Sequence, residues 1–157
     1  DWSSDVCSSD LATYRAPTMN HLISLIGAPT DIGAGTLGAR MGPEALRVAG
    51  LGPVLQGQGL EVIDRGNLAG PANPWLPPVD GYRHLAEVVA WNQAVHDAVY
   101  AELQLGRMPI VLGGDHCLAI GSISAVARHC RDAGKKLRVL WLDDAGQAGE
   151  TVQRLVV

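Results

Sequence analysis

Four short apolar runs, separated by helix-compatible segments, constrain the fold of this chain more than any other feature of its sequence. The runs lie at 22–28, 60–66, 109–112 and 137–142. Apolar runs of this length are typical of strands buried on both faces of a sheet. Strands that alternate with helices predict an α/β fold with a mainly parallel sheet, and right-handed crossovers place the helices on both faces.

The segments between the runs predict helices and loops. We expect one helix over 43–56, a long amphipathic helix over about 81–105 and a third helix over 117–132, each with apolar residues near helical spacing. A glycine-rich loop at 29–42 and a proline-rich loop at 67–80 connect them. No internal repeat or domain boundary interrupts this order.

Size and composition exclude several classes of protein. The 157 residues suit one domain, and 47% hydrophobic residues suffice for a globular core. A net charge of −4 without a Lys/Arg cluster argues against a nucleic-acid partner, and no apolar run is long enough to span a membrane. Three cysteines without CxxC spacing predict a cytoplasmic protein without structural disulfides.

Both ends of the chain differ from its middle. Residues 1–18 lack periodicity and resemble translated sequencing-adapter sequence, so we expect a non-native or disordered leader before Met19. Residues 19–143 carry the α/β pattern, whereas 144–157 show neither turn chemistry nor a clear partner. We therefore expect a truncated fold with an unrelated tail.

The end of the third apolar run is the strongest candidate for a functional site. There the strand stops at two glycines and presents Asp115 and His116, and Asp143 follows the fourth run. Ligands bind beyond the carboxyl ends of parallel strands, so neighbouring strands could place a nitrogen and an oxygen ligand side by side. A neutral imidazole with a carboxylate suits Mn, Fe or Zn, and these two ligands do not choose between them.

A second glycine motif competes with the first. The residues from Gly33 to Gly38 match GxGxxG, and Asp64 ends the second run roughly where a ribose-binding acid would lie in a dinucleotide-binding module. However, Pro29 and its neighbours separate the first run from the glycines, and Pro43 disfavours a helix beginning before residue 42. A loop that folds over the sheet edge is the favoured interpretation.

The other candidates have simpler interpretations. His84 and His96 lie twelve residues apart on the long helix, where a solvated face is the default. Cys117 follows His116 directly, yet adjacent residues usually point apart and no third orienting group is evident, so packing is its expected role.

Three stretches together resemble the N-terminal half of the arginases, within the ureohydrolase family. They are LIGAPTDIGAGTLGARMGPEALRVAGL, GGDHCLAIGSISAVAR and LRVLWLD, which occur in the family's order and span roughly 21–143. The GGDH signature is shared with agmatinases and formimidoylglutamases. The glycine-rich loop that ends in GPEALR is more similar to that of arginase.

The resemblance implies a three-layer α/β/α sandwich that holds two Mn²⁺ ions at the carboxyl edge of the sheet. Arginases hydrolyse L-arginine to L-ornithine and urea, with a metal-bridged hydroxide that attacks the guanidinium carbon. By resemblance, His116 is the first metal-binding histidine, and Asp143 is the first aspartate of an Asp-Ala-His-x-Asp motif. A full-length member of this family is expected to form homo-oligomers.

The resemblance stops after Asp143. The next residues are Asp144, Ala145, Gly146 and Gln147, so the motif's histidine and second aspartate are absent, as is a later Asp-x-Asp pair. Two of six metal-binding side chains remain, and we expect the 157-residue chain to be inactive. A nucleotide-binding module that uses Gly33 to Gly38, and a non-enzymatic fragment that aggregates through its last strand, are the alternatives.

Overall fold

The structure is a computed structural model that describes residues 22–141 and the backbone of one strand at 153–156. Its strands and helices follow one another as β1 (Leu22–Ala28), α1 (Gly42–Val48), α2 (Leu51–Gly57), β2 (Glu61–Asn67), α3 (Leu85–Gln104), β3 (Met108–Gly113), α4 (Ala119–Asp132), β4 (Arg138–Trp141) and β5 (Gln153–Val156). Single 3-10 turns at Ala39–Met41 and His116–Leu118 precede α1 and α4.

Strand β1 is the centre of a parallel sheet with the order β2-β1-β3. Ile23 lies beside Val62 on one side and Met108 on the other. Six of the seven β1 residues are buried, which explains the continuous apolar run that a strand covered on both faces requires.

Alternate residues of β1 face two separate cores, which confirms the predicted α/β/α sandwich. Ile26 and Ala28 pack with Trp91, Val95 and other residues of the α3 and α4 layer. Ile23 and Leu25 form the opposite core, which is flanked by Leu51 and Leu55 of α2. The twofold side-chain period of a strand produces this division.

The single helix predicted over 43–56 is wrong, because the structure contains two short helices there. Gly50 adopts the left-handed conformation, with φ of 84°, and separates α1 from α2. Pro53 lies in the first turn of α2, where its missing N–H costs nothing, whereas one continuous helix would bring its ring against the carbonyl of residue 49.

The fourth apolar run forms a strand, but its predicted position beside β3 in the parallel sheet is wrong for the described residues. β4 pairs antiparallel with β5, with Arg138 opposite Val156 and Trp141 opposite Gln153. An edge strand exposes unpaired backbone groups, and β5 satisfies one such edge of β4. The carboxyl end of β4 nevertheless reaches the end of β3, where the Trp141 ring lies 5.9 Å from that of His116.

The two predicted loops lack regular secondary structure over most of their length. Residues 68–84 contain only an isolated bridge between Val79 and Tyr82. In the part of the chain that the structure describes, no helix is long and apolar enough to cross a membrane.

Candidate active site

His116 lies at the carboxyl edge of the sheet, on the turn that joins β3 to α4. The strand ends at Gly113, and His116 begins the 3-10 turn three residues later. Its side chain is exposed at this edge, and its ring meets the Trp141 indole at an interplanar angle of 43°. The sequence prediction of an imidazole at this edge is therefore confirmed.

Asp115 does not face the edge as a free carboxylate, because backbone N–H groups occupy both of its oxygens. Its Oδ2 accepts hydrogen bonds from the N–H groups of Gly33 at 2.7 Å and Ala34 at 3.2 Å. Its Oδ1 accepts one from the N–H of Cys117 at 3.0 Å and so caps the 3-10 turn. Asp115 thus ties the glycine-rich loop to the turn that carries His116.

Gly114 allows the close approach of two chain segments at this point. A Cβ on Gly114 would lie 2.7 Å from the carbonyl oxygens of both Ala28 and Thr30. The N–H of Asp115 donates to the Thr30 carbonyl at 3.2 Å. The second glycine of the GGDH signature is needed because β1 and β3 leave the sheet in contact.

Cys117 packs behind the same turn and is not an activated nucleophile. Burial and the neighbouring Asp115 carboxylate raise the pKa of the Cys117 thiol to about 12. Its Cβ would lie 3.0 Å from a Cβ on Gly33. A thiol with so high a pKa contains almost no reactive thiolate near neutral pH, which agrees with the packing role expected for it.

The dinucleotide interpretation finds no support in the glycine-rich loop. The residues from Gly33 to Gly38 form bends and no helix, so a phosphate there would have no helix N-terminus to bind. Asp64 is already held by Arg47, which donates to its two oxygens at 2.7 and 2.9 Å. These hydrogen bonds lower the pKa of Asp64 and leave the carboxylate with a structural partner where a ribose would need it free.

Sequence reasoning placed His84 on a solvated helix face, and this is wrong. His84 immediately precedes α3, is 8% exposed and has a φ of 47°. Its Nδ1 lies 3.0 Å from the Ile32 carbonyl oxygen and its Nε2 lies 3.0 Å from that of Leu76. The ring therefore joins the glycine-rich loop to the proline-rich loop, a role set by long-range packing that helical spacing cannot reveal. His96 is half-buried on α3, where its Nδ1 lies 2.9 Å from Asp97 and its ring stacks on Tyr100.

The described residues supply only part of a metal site. Between residues 22 and 141 no three His, Cys, Asp or Glu side chains lie close enough together to hold an ion. Asp143, the second predicted ligand, lies outside the described residues, as do Asp144 and the tail. His116 is thus the one predicted ligand whose place in the fold is established.

The chain is similar to one family of known proteins over most of its length. A family model described as the arginase family matches residues 21–144. The arginase of Brucella melitensis is 41% identical over 120 residues, covering 76% of this chain and 39% of the relative. The arginase of Brevibacillus brevis is 37% identical over 128 residues, covering 82% and 42%.

Solved structures agree with the sequence relatives. The crystal structure of arginase from Bacillus caldovelox matches with a TM-score of 0.64 and 37% identity, covering 69% of this chain and 37% of that one. The chain accordingly spans about two fifths of the length of the relatives it matches.

Proposed function

Because this chain belongs to the arginase family, we propose that it represents the part of an amidine hydrolase that contributes the first metal ligands for converting L-arginine to L-ornithine and urea. The observation that supports this most directly is His116 at the carboxyl end of β3, exposed beside the end of β4. A parallel α/β sheet binds its ligands at this edge.

We propose His116 and Asp143 as ligands of Mn²⁺. The described residues alone do not fit a dinuclear site, since they contribute one imidazole and no nearby set of three ligands. In the family's reaction the bound metals would lower the pKa of a water molecule. The residues described around His116 serve to position it: Asp115 fixes the backbone of its turn, and Trp141 contacts its ring.

We also propose that the 157-residue chain is inactive by itself. After Asp143 the chain has Asp144, Ala145, Gly146 and Gln147, where the family motif has alanine, histidine, any residue and aspartate. Two metal-binding side chains are too few to hold two ions against water. We expect no urea release from L-arginine above a metal-free blank after Mn²⁺ is added, and a measured rate above that blank would contradict the proposal.

Metal binding offers a test that does not need turnover. Mn²⁺ is paramagnetic and broadens the NMR signals of nearby nuclei, so we expect broadening of the Gly114 and Cys117 amides that His116→Ala abolishes. The matched control is His96→Ala, because His96 lies on α3 and not on the turn that carries His116. Equal broadening in wild type and His116→Ala would exclude His116 as a ligand.

Restoring the family motif sharpens this test. The triple substitution Asp144→Ala, Ala145→His and Gln147→Asp would add an imidazole and a carboxylate at the motif's spacing. We expect it to tighten Mn²⁺ binding by at least about tenfold, with His116→Ala reversing the gain. Unchanged affinity in the triple variant would contradict the assignment of Asp143 as the start of that motif.

The substrate could also be another guanidino compound, as in agmatinases or formimidoylglutamases. No specific contact among the described residues favours these substrates over L-arginine. The cytoplasmic location and the homo-oligomer expected of a full-length protein stay predictions.

A further inference from the structure

A pocket of about 370 Å³ lies between the glycine-rich loop and the start of the proline-rich loop, at the carboxyl ends of β1 and β2. Its volume falls at the lower end of the range of about 300–1,000 Å³ that is typical of small-molecule sites. Asp31, Arg40, Asn73 and Trp75 line it, and His116 does not. The pocket is therefore separate from the candidate metal ligand.

Asp31 brings a poorly satisfied carboxylate to this pocket. The residue is 3% exposed, and its Oδ2 accepts one long hydrogen bond, 3.4 Å from the Gly38 N–H. No cationic side chain among residues 22–141 forms an ion pair with it. The other oxygen of Asp31 has no hydrogen-bond partner among residues 22–141, and Asp31 lines the pocket. A buried carboxylate with so few donors favours a cationic ligand.

Arg40 brings the opposite charge to the same pocket. Its side chain is exposed, and no carboxylate in the described part of the chain lies within ion-pair distance of its guanidinium. A guanidinium offers five N–H donors in a planar fork that suits a carboxylate. The pocket thus carries one negative and one positive group, and neither forms an ion pair with another residue between 22 and 141.

Two tryptophans, Trp75 and Trp91, also line this pocket. Gly70 lies against the Trp91 indole so closely that a Cβ would be 2.3 Å from the ring, and the Trp91 Nε1–H donates to the Pro71 carbonyl at 2.9 Å. Trp75 is 58% exposed and has a φ of 56°, a strained conformation for a bulky residue. The backbone N–H of Trp75 donates to the Asn73 Oδ1 at 3.0 Å, which fixes the main chain of this turn beside the pocket.

We propose that this pocket binds a free α-amino acid with an apolar side chain. Its ammonium group meets Asp31, its carboxylate meets Arg40, and its side chain covers the exposed Trp75 indole. The proposal is independent of the proposed function, because it uses neither His116 nor a guanidino group.

L-Leucine is a suitable probe, titrated into the 157-residue chain and followed by the indole N–H signals in ¹⁵N NMR spectra. We expect saturable shifts of the Trp75 and Trp91 signals and none of Trp141, which lies beside His116. Each analogue that lacks one charge, 4-methylpentanoate or isopentylamine, should bind at least about tenfold more weakly, because each loses one charge-assisted contact. Absence of saturable shifts, or equal affinity for all three compounds, would overturn the proposal.

Substitutions test the two charges separately. Arg40 is exposed and forms no ion pair within the described part of the chain, so Arg40→Gln should fold normally and weaken leucine binding at least about tenfold. Arg138→Gln is the matched control, since Arg138 is exposed on β4 outside the pocket. Asp31→Asn should weaken binding similarly, whereas His116→Ala should leave it unchanged. Leucine binding by Arg40→Gln at the wild-type affinity would contradict the assignment.

Discussion

Two carboxylates hold this fold together in different ways. Glu102, on α3, accepts a hydrogen bond from the buried Ser24 hydroxyl at 2.6 Å and pairs with the guanidinium groups of Arg65 at 2.9 Å and Arg107 at 3.1 Å. Asp115, after β3, accepts three hydrogen bonds that all come from backbone N–H groups. One carboxylate therefore neutralises charges, and the other shapes a loop.

The two carboxylates have different partners because the backbone around Glu102 is hydrogen-bonded within strands and helices, whereas the backbone around Asp115 belongs largely to loops. Glu102 joins α3 to β1 and β2, elements whose backbones are already satisfied by their own ladders and helical bonds, so side chains are the remaining partners. Asp115 lies where chain segments have left the sheet, and loop N–H groups there need acceptors. The ion pairs of Glu102 thus join the layers near the amino end of β1. The hydrogen bonds from backbone N–H groups to Asp115 instead fix the sheet edge that carries His116.

The largest effect on stability is expected from Glu102→Ala. The substitution leaves two arginines without their partner and a buried hydroxyl without its acceptor, which should lower the free energy of unfolding by about 3 kcal/mol. Urea denaturation measures this loss. Asp97→Ala on the same helix is the control, because Asp97 is exposed and should change stability by less than about 0.5 kcal/mol. Equal losses of unfolding free energy in Glu102→Ala and Asp97→Ala would contradict the structural role assigned to Glu102.

Asp115→Asn should act more locally. The amide keeps one acceptor but turns N–H donors towards backbone donors, so we expect a loss of about 2 kcal/mol and faster hydrogen exchange at the amides of Gly33 and Ala34. NMR-detected exchange resolves these amides from the rest of the sheet. Asp80→Asn, at an exposed loop position, serves as the control. Unchanged exchange at Gly33 and Ala34 would show that Asp115 does not hold the loop.

Gly114→Ala tests the same edge without removing charge. The new Cβ would lie 2.7 Å from two carbonyl oxygens and a Leu118 methyl group, so the segments must separate, at a cost of about 2 kcal/mol. Gly52→Ala is the matched control, since a Cβ there meets nothing within 4 Å and alanine favours the helix. The denaturation midpoints of the two variants should therefore move in opposite directions, and a stabilised Gly114→Ala would contradict the packing described for the edge.

The smallest expected effect is the loss of stability in acid that Glu102 causes, and it tests the charged role of this carboxylate directly. Burial alone would raise the pKa of Glu102, but hydrogen bonds from Ser24, Arg65 and Arg107 more than offset it and hold the pKa below its usual range. The stability that Glu102 contributes is therefore fully present above its unfolded-state pKa and is lost as the pH falls through the folded value. Urea midpoints measured between pH 6 and 3 should fall more steeply for wild type than for Glu102→Gln. If the urea midpoints of wild type and Glu102→Gln fell equally with pH, Glu102 would not contribute this pH-dependent stability.

The sequence predicts the layers of this fold well because the continuous apolar run of β1 is typical of a strand covered on both faces, and the helical spacing of apolar residues in α3 indicates its buried face. It predicts His116 at the sheet edge for the same reason. The break between α1 and α2 was accessible from Pro53 and Gly50, whose chemistry disfavours a continuous helix. The pairing of β4 with β5 could not be predicted from the sequence. It depends on which backbone segment approaches an open strand edge, and no local sequence pattern encodes that.

Contacts between loops escape sequence reasoning for a related reason. His84 is buried by two loops that converge from distant parts of the chain. The spacing of residues along its helix does not indicate that these loops lie nearby. The sequence predicts Asp115 as an acid presented at the sheet edge, whereas in the structure its carboxylate accepts hydrogen bonds from the glycine-rich loop and anchors that loop. Asp143 lies outside the described residues, so the pairing of two metal ligands stays a prediction.

The central position of β1 also has a consequence for synthesis of the chain. Ile23 emerges from the ribosome before either of its neighbours, Val62 and Met108, and the side of the strand that pairs with β3 stays open until Met108 is made. Pairing over such long sequence separations is slow, and an uncovered apolar strand invites association with other chains. The most protected segment of the finished molecule is thus its most vulnerable one during translation.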